Sequence, residues 1–199
     1  GRIAASKVAE TIRNLLVTRP EISIVFGAAP SQNEFFFYLT SENDVDWSRI
    51  HTFHMDEYIG LPAGSEQSFR TYLDEHVFSK VPFKNVHYIN GNVAGEEIEK
   101  ECERYTQLLK KHPVDISCLG IGENGHIAFN DPSVADFHDP KMVKVVKLEE
   151  ICRHQQVDDG CFKSIDEVPK KAITLTVPTL MNADYHFCVV PSKFKAKAI

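Results

Sequence analysis

Ile22-Ser23-Ile24-Val25-Phe26-Gly27-Ala28-Ala29-Pro30-Ser31-Gln32-Asn33-Glu34-Phe35-Phe36-Phe37-Tyr38-Leu39 contains a short β-branched and aromatic run, a small-residue loop and an apolar segment in close succession. The run Ile22–Phe26 predicts a buried strand, Gly27 and Pro30-Ser31 predict a loop, and residues 33–39 predict a helix. Upstream, Ala5, Val8, Ala9, Ile12, Leu15 and Leu16 recur at helical spacing and stop before Pro20, which places a first helix over about residues 2 to 17.

Downstream the strand–loop–helix unit repeats. Residues 50–54 read as a second strand, 68–78 as a helix, 86–89 as a strand, 96–109 as a longer helix and 115–119 as a further strand. After a glycine-rich loop, residues 143–146 form a weak strand, 149–161 a helical stretch, and 172–177 and 186–190 two more strands. Alternating strands and helices imply right-handed crossovers and a mostly parallel sheet covered on both faces, an α/β fold of three layers with a Rossmann-like sheet. Ligands then collect beyond the carboxyl ends of the strands. No repeat, low-complexity tract or linker divides residues 1–199, so a single domain is expected. Residues 192–199 begin another helix and stop, as if the last βα unit were incomplete at the C-terminal end.

Forty-three per cent hydrophobic and 25% charged positions are ordinary for a globular chain, and 28 acidic against 22 basic residues give a net charge of -6. That overall field disfavours nucleic acid and an anionic membrane surface as partners. With no apolar run long enough for a membrane span and no basic segment leading into an apolar signal core, a cytoplasmic location is expected. A homo-oligomer is compatible with these features. The five cysteines, Cys102, Cys118, Cys152, Cys161 and Cys188, are odd in number and lack CxxC spacing, which points to free thiols; Cys118 and Cys188, inside apolar runs, read as small buried hydrophobes. His51 and His54, three apart on a strand, point to opposite faces and do not make a two-histidine metal site.

Three loops could carry chemistry. The first, from Gly27 to Gln32, opens a helix whose free N–H groups and positive dipole end can hold a phosphate, with Ser31 either donating to it or simply capping the helix. In the second, His54-Met55-Asp56-Glu57-Tyr58-Ile59-Gly60-Leu61, adjacent acids follow an apolar strand. They point to opposite sides, so one can face the cleft while the other is tied into structure, unless both are solvated loop acids. The third, Gly120-Ile121-Gly122-Glu123-Asn124-Gly125-His126-Ile127-Ala128-Phe129-Asn130-Asp131-Pro132, contains a GxGxxG string. It follows the fourth strand rather than the first and lacks the acid that a dinucleotide fingerprint requires. Its glycines suit close backbone approach to a ligand, and His126 is either aimed into the cleft or structural.

The string HMDEYIGL, the loop GIGENGHIAFNDP and the order of elements together resemble the glucosamine-6-phosphate deaminase/isomerase family, over essentially the whole chain. The sister 6-phosphogluconolactonases usually show an arginine after the paired acids and a different segment after the Gly-His pair. The resemblance implies an aldose–ketose isomerisation of an amino-sugar 6-phosphate, glucosamine or galactosamine, coupled to release of ammonia, with no metal and no cofactor. It implies Asp56 as the carboxylate base, His126 as the group that opens the pyranose ring and Asp131 as the carboxylate that orients the histidine. Asn124 stands where family members carry Asp. The usual phosphate loop has become Ala29-Pro30-Ser31, and Pro30 removes one backbone donor. Asp159 takes the place of a family arginine, leaving Arg153 as a displaced candidate, while Lys195 fits the family's lysine and Lys193 is an alternative. Glu57, Gly122 and Gly125 complete the expected substrate-binding set. Rival readings are a sugar-phosphate-binding sensor that has lost chemistry, and a lactonase-like hydrolase.

Overall fold

The computed structural model describes residues 1–191 and 193–199. Helix α1, Arg2–Thr18, buries the six apolar residues that its periodicity aligns on one face. Strand β1, Ile22–Phe26, is buried along its whole length, a 3-10 turn at Pro30–Gln32 follows, and α2 occupies Asn33–Thr40. Strand β2, Ile50–His54, runs parallel to β1 and is followed by a short strand β3, Asp56–Tyr58. Helix α3, Phe69–Leu73, begins where the Ser68 hydroxyl accepts the Thr71 N–H, and continues as a π turn through Asp74–Phe78. Strand β4, Asn85–His87, helix α4, Glu97–Lys111, and strand β5, Ile116–Leu119, complete the first part of the chain. Next come β6, Val143–Lys147, α5, Glu150–Asp158, β7, Lys171–Leu175, α6, Val177–Met181, and β8, Tyr185–Cys188.

The main sheet has five parallel strands in the order β4-β2-β1-β5-β8. On one face α1, α2 and the π turn cover it, with the Phe26 ring edge-on to Phe36 and Phe78 at 6.0 and 6.2 Å. On the other face α4 packs Cys102, Tyr105 and Leu109 against Val25, Phe53 and Leu119. This is the expected α/β class. One feature differs from expectation: residues 143–146 and 172–177 do not join the parallel sheet. They form β6 and β7 of a separate antiparallel sheet, ordered β3-β7-β6, and β3 was expected to be loop. The charged triplet Asp56-Glu57-Tyr58 hides its strand character because its acids are buried by partners rather than by apolarity.

β7 ends at Leu175, two residues earlier than its apolar pattern suggests, since Thr176 is the N-cap of α6, which carries Pro178 in its first turn. Near the C-terminus, Lys193–Lys195 is a 3-10 turn where a longer helix was expected, and Ser192 lies outside the described residues. All five cysteines are unpaired. Cys118 is buried as expected, but Cys188 is exposed because β8 is an edge strand. Among the described residues no helix is long and apolar enough to cross a membrane.

Tyr105 ties α4 to the strand ends. Its fully buried hydroxyl receives the His54 N–H at 3.0 Å and lies 3.0 and 3.1 Å from the carbonyls of His54 and His87. Tyr105→Phe leaves the His54 N–H without an acceptor, and is expected to lower unfolding free energy by about 1–3 kcal/mol, read as a reduced urea midpoint at unchanged m-value.

Candidate active site

The loop after β5 folds back on itself: the Gly122 N–H donates to the His126 carbonyl at 2.9 Å, and Gly125 takes a φ of 87° that closes the turn. The fold-back presses the His126 ring onto Gly122. A Cβ at position 122 would stand 2.1 Å from His126 Cε1 and 2.2 Å from Nε2, so only glycine admits this ring position. Ala128, next in the loop, holds a φ of 51°, a strained value for a residue with a side chain.

Asn124 and Asp131 fix the ring's orientation. His126 Nδ1 lies 2.6 Å from Asn124 Oδ1, which can only accept, so Nδ1 carries the proton and Nε2 keeps a lone pair. Asn124 Nδ2 donates to Asp131 Oδ1 at 3.0 Å, and that same oxygen is 3.3 Å from His126 Nδ1. Asp131 is fully buried, which pushes its pKa up, but the hydrogen bonds from His126 and Asn124 outweigh burial and hold it below the usual carboxylate value. The anion that an aspartate at position 124 would bring next to the imidazole is therefore supplied from Asp131, partly through the Asn124 amide.

The paired acids separate as strand geometry requires. Asp56 faces the cavity and is almost fully buried; burial first, and the neighbouring Glu57 second, raise its pKa well above the usual carboxylate value. Glu57 turns the other way. Its carboxylate accepts the N–H groups of Tyr58, Phe69 and Arg70 at 2.9, 3.1 and 2.9 Å, and so anchors the start of α3. Burial raises its pKa to about 7 against the lowering effect of those bonds. Expected as a substrate ligand, Glu57 lies outside the cavity, on the far side of β3, because three backbone donors claim it. His54 supports the turn: its Nε2 accepts the Ile89 N–H at 2.8 Å, which leaves Nδ1–H to donate to the Asp56 carbonyl at 2.9 Å. Burial lowers the His54 pKa to about 3, so it is a neutral brace for Asp56.

Asp56 and His126 share one cavity of about 350 Å³ at the carboxyl ends of the parallel strands, with Ala29, Ser31, Gly122 and Lys195 also in its wall. Asn124, Gly125 and Asp131 act from behind that wall. Arg153 does not reach it: the guanidinium is buried and donates to the carbonyls of Val168, at 3.0 Å, and Ile165. Asp159 lines the cavity instead, and Lys195 is the one lysine or arginine lining it among the described residues.

Several lining residues escape the sequence reading. Phe69 and Phe129 stack at 5.4 Å and rest on Tyr58, forming an aromatic floor. Tyr72 donates to the Ala29 carbonyl at 2.7 Å, which shapes the loop after β1. Gln155 accepts the Glu123 N–H at 3.1 Å and, with Gln156, faces the cavity from α5. The only advance signal was their place, Phe129 within the loop that carries His126 and the others in helices that follow the site loops. Cys152 lies close enough to His126 and Asp131 to share a metal ion, but burial and the nearby carboxylates push its thiol up and disfavour the thiolate such a site needs.

Comparison with known proteins agrees with this architecture. The family described as glucosamine-6-phosphate isomerases/6-phosphogluconolactonase matches residues 2–199. Glucosamine-6-phosphate deaminases of Bacillus cereus (strain B4264) and Bacillus anthracis (strain CDC 684 / NRRL 3495) are each 37% identical over 158 residues, 79% of this chain and 58% of theirs. The chain thus spans under two thirds of the length of these relatives. Among solved structures, a monomeric glucosamine-6-phosphate deaminase superposes with a TM-score of 0.85 at 30% identity, covering 99% of this chain and 80% of that one. The 6-phosphogluconolactonase of Thermotoga maritima gives 0.76 at 25% identity, covering 98% and 81%. The chain belongs to the glucosamine-6-phosphate isomerase/6-phosphogluconolactonase family.

Proposed function

We propose that the protein isomerises and deaminates an amino-sugar 6-phosphate, giving a ketohexose 6-phosphate and ammonia. The observation that carries this reading is the pairing of a buried, strongly basic Asp56 with His126 in one cavity. His126, with Nδ1 protonated and Nε2 bearing a lone pair, accepts the anomeric hydroxyl proton and returns a proton to the ring oxygen as the pyranose opens. Asp56 then removes the C2 proton of the open-chain aldehyde, forming an enolamine, and delivers a proton to C1. The resulting C2 imine takes up water and releases ammonia, which leaves the ketone. Abstraction from carbon needs a carboxylate of high proton affinity, and burial supplies it. Asp131 stabilises the imidazolium that forms during ring opening. Lys195, Ser31 and the loop at Ala29 are assigned to the phosphate, and the resemblance to deaminases at 37% identity supports that substrate class.

Ammonia and ketose phosphate release from glucosamine 6-phosphate and galactosamine 6-phosphate checks the assignment. Asp56→Asn is expected to lower kcat by about 10³-fold at intact fold. Undiminished turnover in that variant, or hydrolysis of 6-phosphogluconolactone without ammonia release from either amino sugar, would overturn the proposal. Gly122→Ala displaces the His126 ring and is expected to cost about 10²-fold in kcat with little change in thermal midpoint.

The acid limb of kcat/KM reports Asp56, which must be ionised to act as base. Since burial and Glu57 both raise its pKa, the limb is expected above the ordinary carboxylate range. Glu57→Gln removes a like charge, favours the ionised form and so moves the limb to lower pH; a pH–rate profile of the two proteins shows the shift and its sign.

A further inference from the structure

Away from the cavity, on the α4 face of the main sheet, three histidines meet. His51 of β2 lies in register with Asn85 of β4, and His87 with Phe53, so the side chains at 51, 53, 85 and 87 share one face. His112, at the C-terminal end of α4, folds over this face: its ring is 3.9 Å from that of His51 and 5.5 Å from that of His87. One ring nitrogen of each histidine lies within 4.8 Å of those of the other two. None of the three lines the active-site cavity.

The hydrogen bonds around these rings mark which nitrogens could serve a cation. Asn85 Nδ2 donates to His51 Nδ1 at 3.3 Å, so the His51 proton sits on Nε2 and is given to Glu21 Oε2 at 2.8 Å. A carboxylate holding the far N–H of an imidazole is the arrangement that orients metal-binding histidines and makes them better donors. His87 Nε2 is buried and has no hydrogen-bond partner, an orphan that needs explaining.

We infer that His51, His87 and His112 bind one borderline divalent transition-metal ion, Zn²⁺ being the natural choice for three imidazoles, with Glu21 orienting His51 and solvent at a fourth position. Tetrahedral zinc with Zn–N bonds of about 2.05 Å holds its nitrogens about 3.3 Å apart, so the stacked rings must tilt toward one another and the weak Asn85 contact must give way. His112 stands outside the sheet, on the cap of α4, and can make that adjustment. The ion would join β2, the edge strand β4 and the end of α4, a clamp rather than a catalytic centre.

Calorimetry of the metal-stripped protein with ZnCl₂, and absorption spectroscopy with CoCl₂, test the site in wild type, His112→Ala, His87→Gln and His126→Gln. One ion per chain is expected, with tetrahedral Co²⁺ bands in the visible. Zn²⁺ at about 100 times its Kd should raise the thermal midpoint by about 5–10 °C. His112→Ala and His87→Gln should each weaken binding at least tenfold, while His126→Gln leaves it unchanged. Should His112→Ala fail to fold, His112→Gln supplies the same reading. Absence of saturable binding, or binding that survives in the His112 and His87 variants, overturns the inference; loss in His126→Gln alone would put the ion on His126, Asp131 and Cys152 instead.

Discussion

Met55 belongs to both sheets. Its N–H donates to the Phe26 carbonyl at 3.2 Å, within the parallel sheet, and its carbonyl accepts the Leu175 N–H at 2.8 Å, from the antiparallel one. A single residue between β2 and β3 is too short for a crossover, so the chain leaves the first sheet and enters the second at a fixed angle. That angle throws Asp56 into the cavity and Glu57 away from it. Tyr105 and His54 hold the same turn from the α4 side, through bonds to the His54 backbone and to the Asp56 carbonyl. The Asp56 carboxyl is thus carried by sheet hydrogen bonding, which holds a side chain more precisely than a loop does.

The acids of this region are treated in three ways, and each follows from its neighbours. Glu57 spends its oxygens on backbone donors at the start of α3. Asp131 is kept ionised, despite complete burial, by bonds from Asn124 and His126. Asp56 has its pKa raised by burial, which in the proposed reaction trades the fraction ionised at rest for basicity toward carbon. The opposite pKa shifts of Asp56 and Asp131 suit the two carboxyls to different roles within one site, in the proposed reaction a base and an orienting anion.

Much of this was legible in the sequence. Ile22–Phe26, Ile50–His54 and residues 115–119 announced the parallel sheet by their apolar runs, and the face of α1 by its spacing. Glycine density and the Gly-His pair marked the loop that carries His126. What stayed hidden depends on contacts between distant segments. Nothing in Asp56-Glu57-Tyr58 reads as strand until β7 supplies its partner, and Arg153 gives no sign that carbonyls at 165 and 168 will claim its guanidinium. The strand pattern sets His51 against His54 alone, whereas its neighbours in space come from 36 and 61 positions further along the chain, at His87 and His112.

The cavity's charge bears on how the proposed anionic substrate would be held. Among the described residues Lys195 is the one lysine or arginine in its wall, facing Asp56, Glu66 and Asp159. The high proton affinity of Asp56 removes part of that negative charge before a ligand arrives, and an amino sugar brings a cationic group of its own to the carboxylates. A phosphate without such a group would meet Glu66 and Asp159 with only Lys195, the Ser31 hydroxyl and the backbone of the Ala29 loop to hold it. The charge pattern therefore suits a ligand that carries a cation as well as an anion, a preference that comes from the acid at position 159 as much as from the cation at 195.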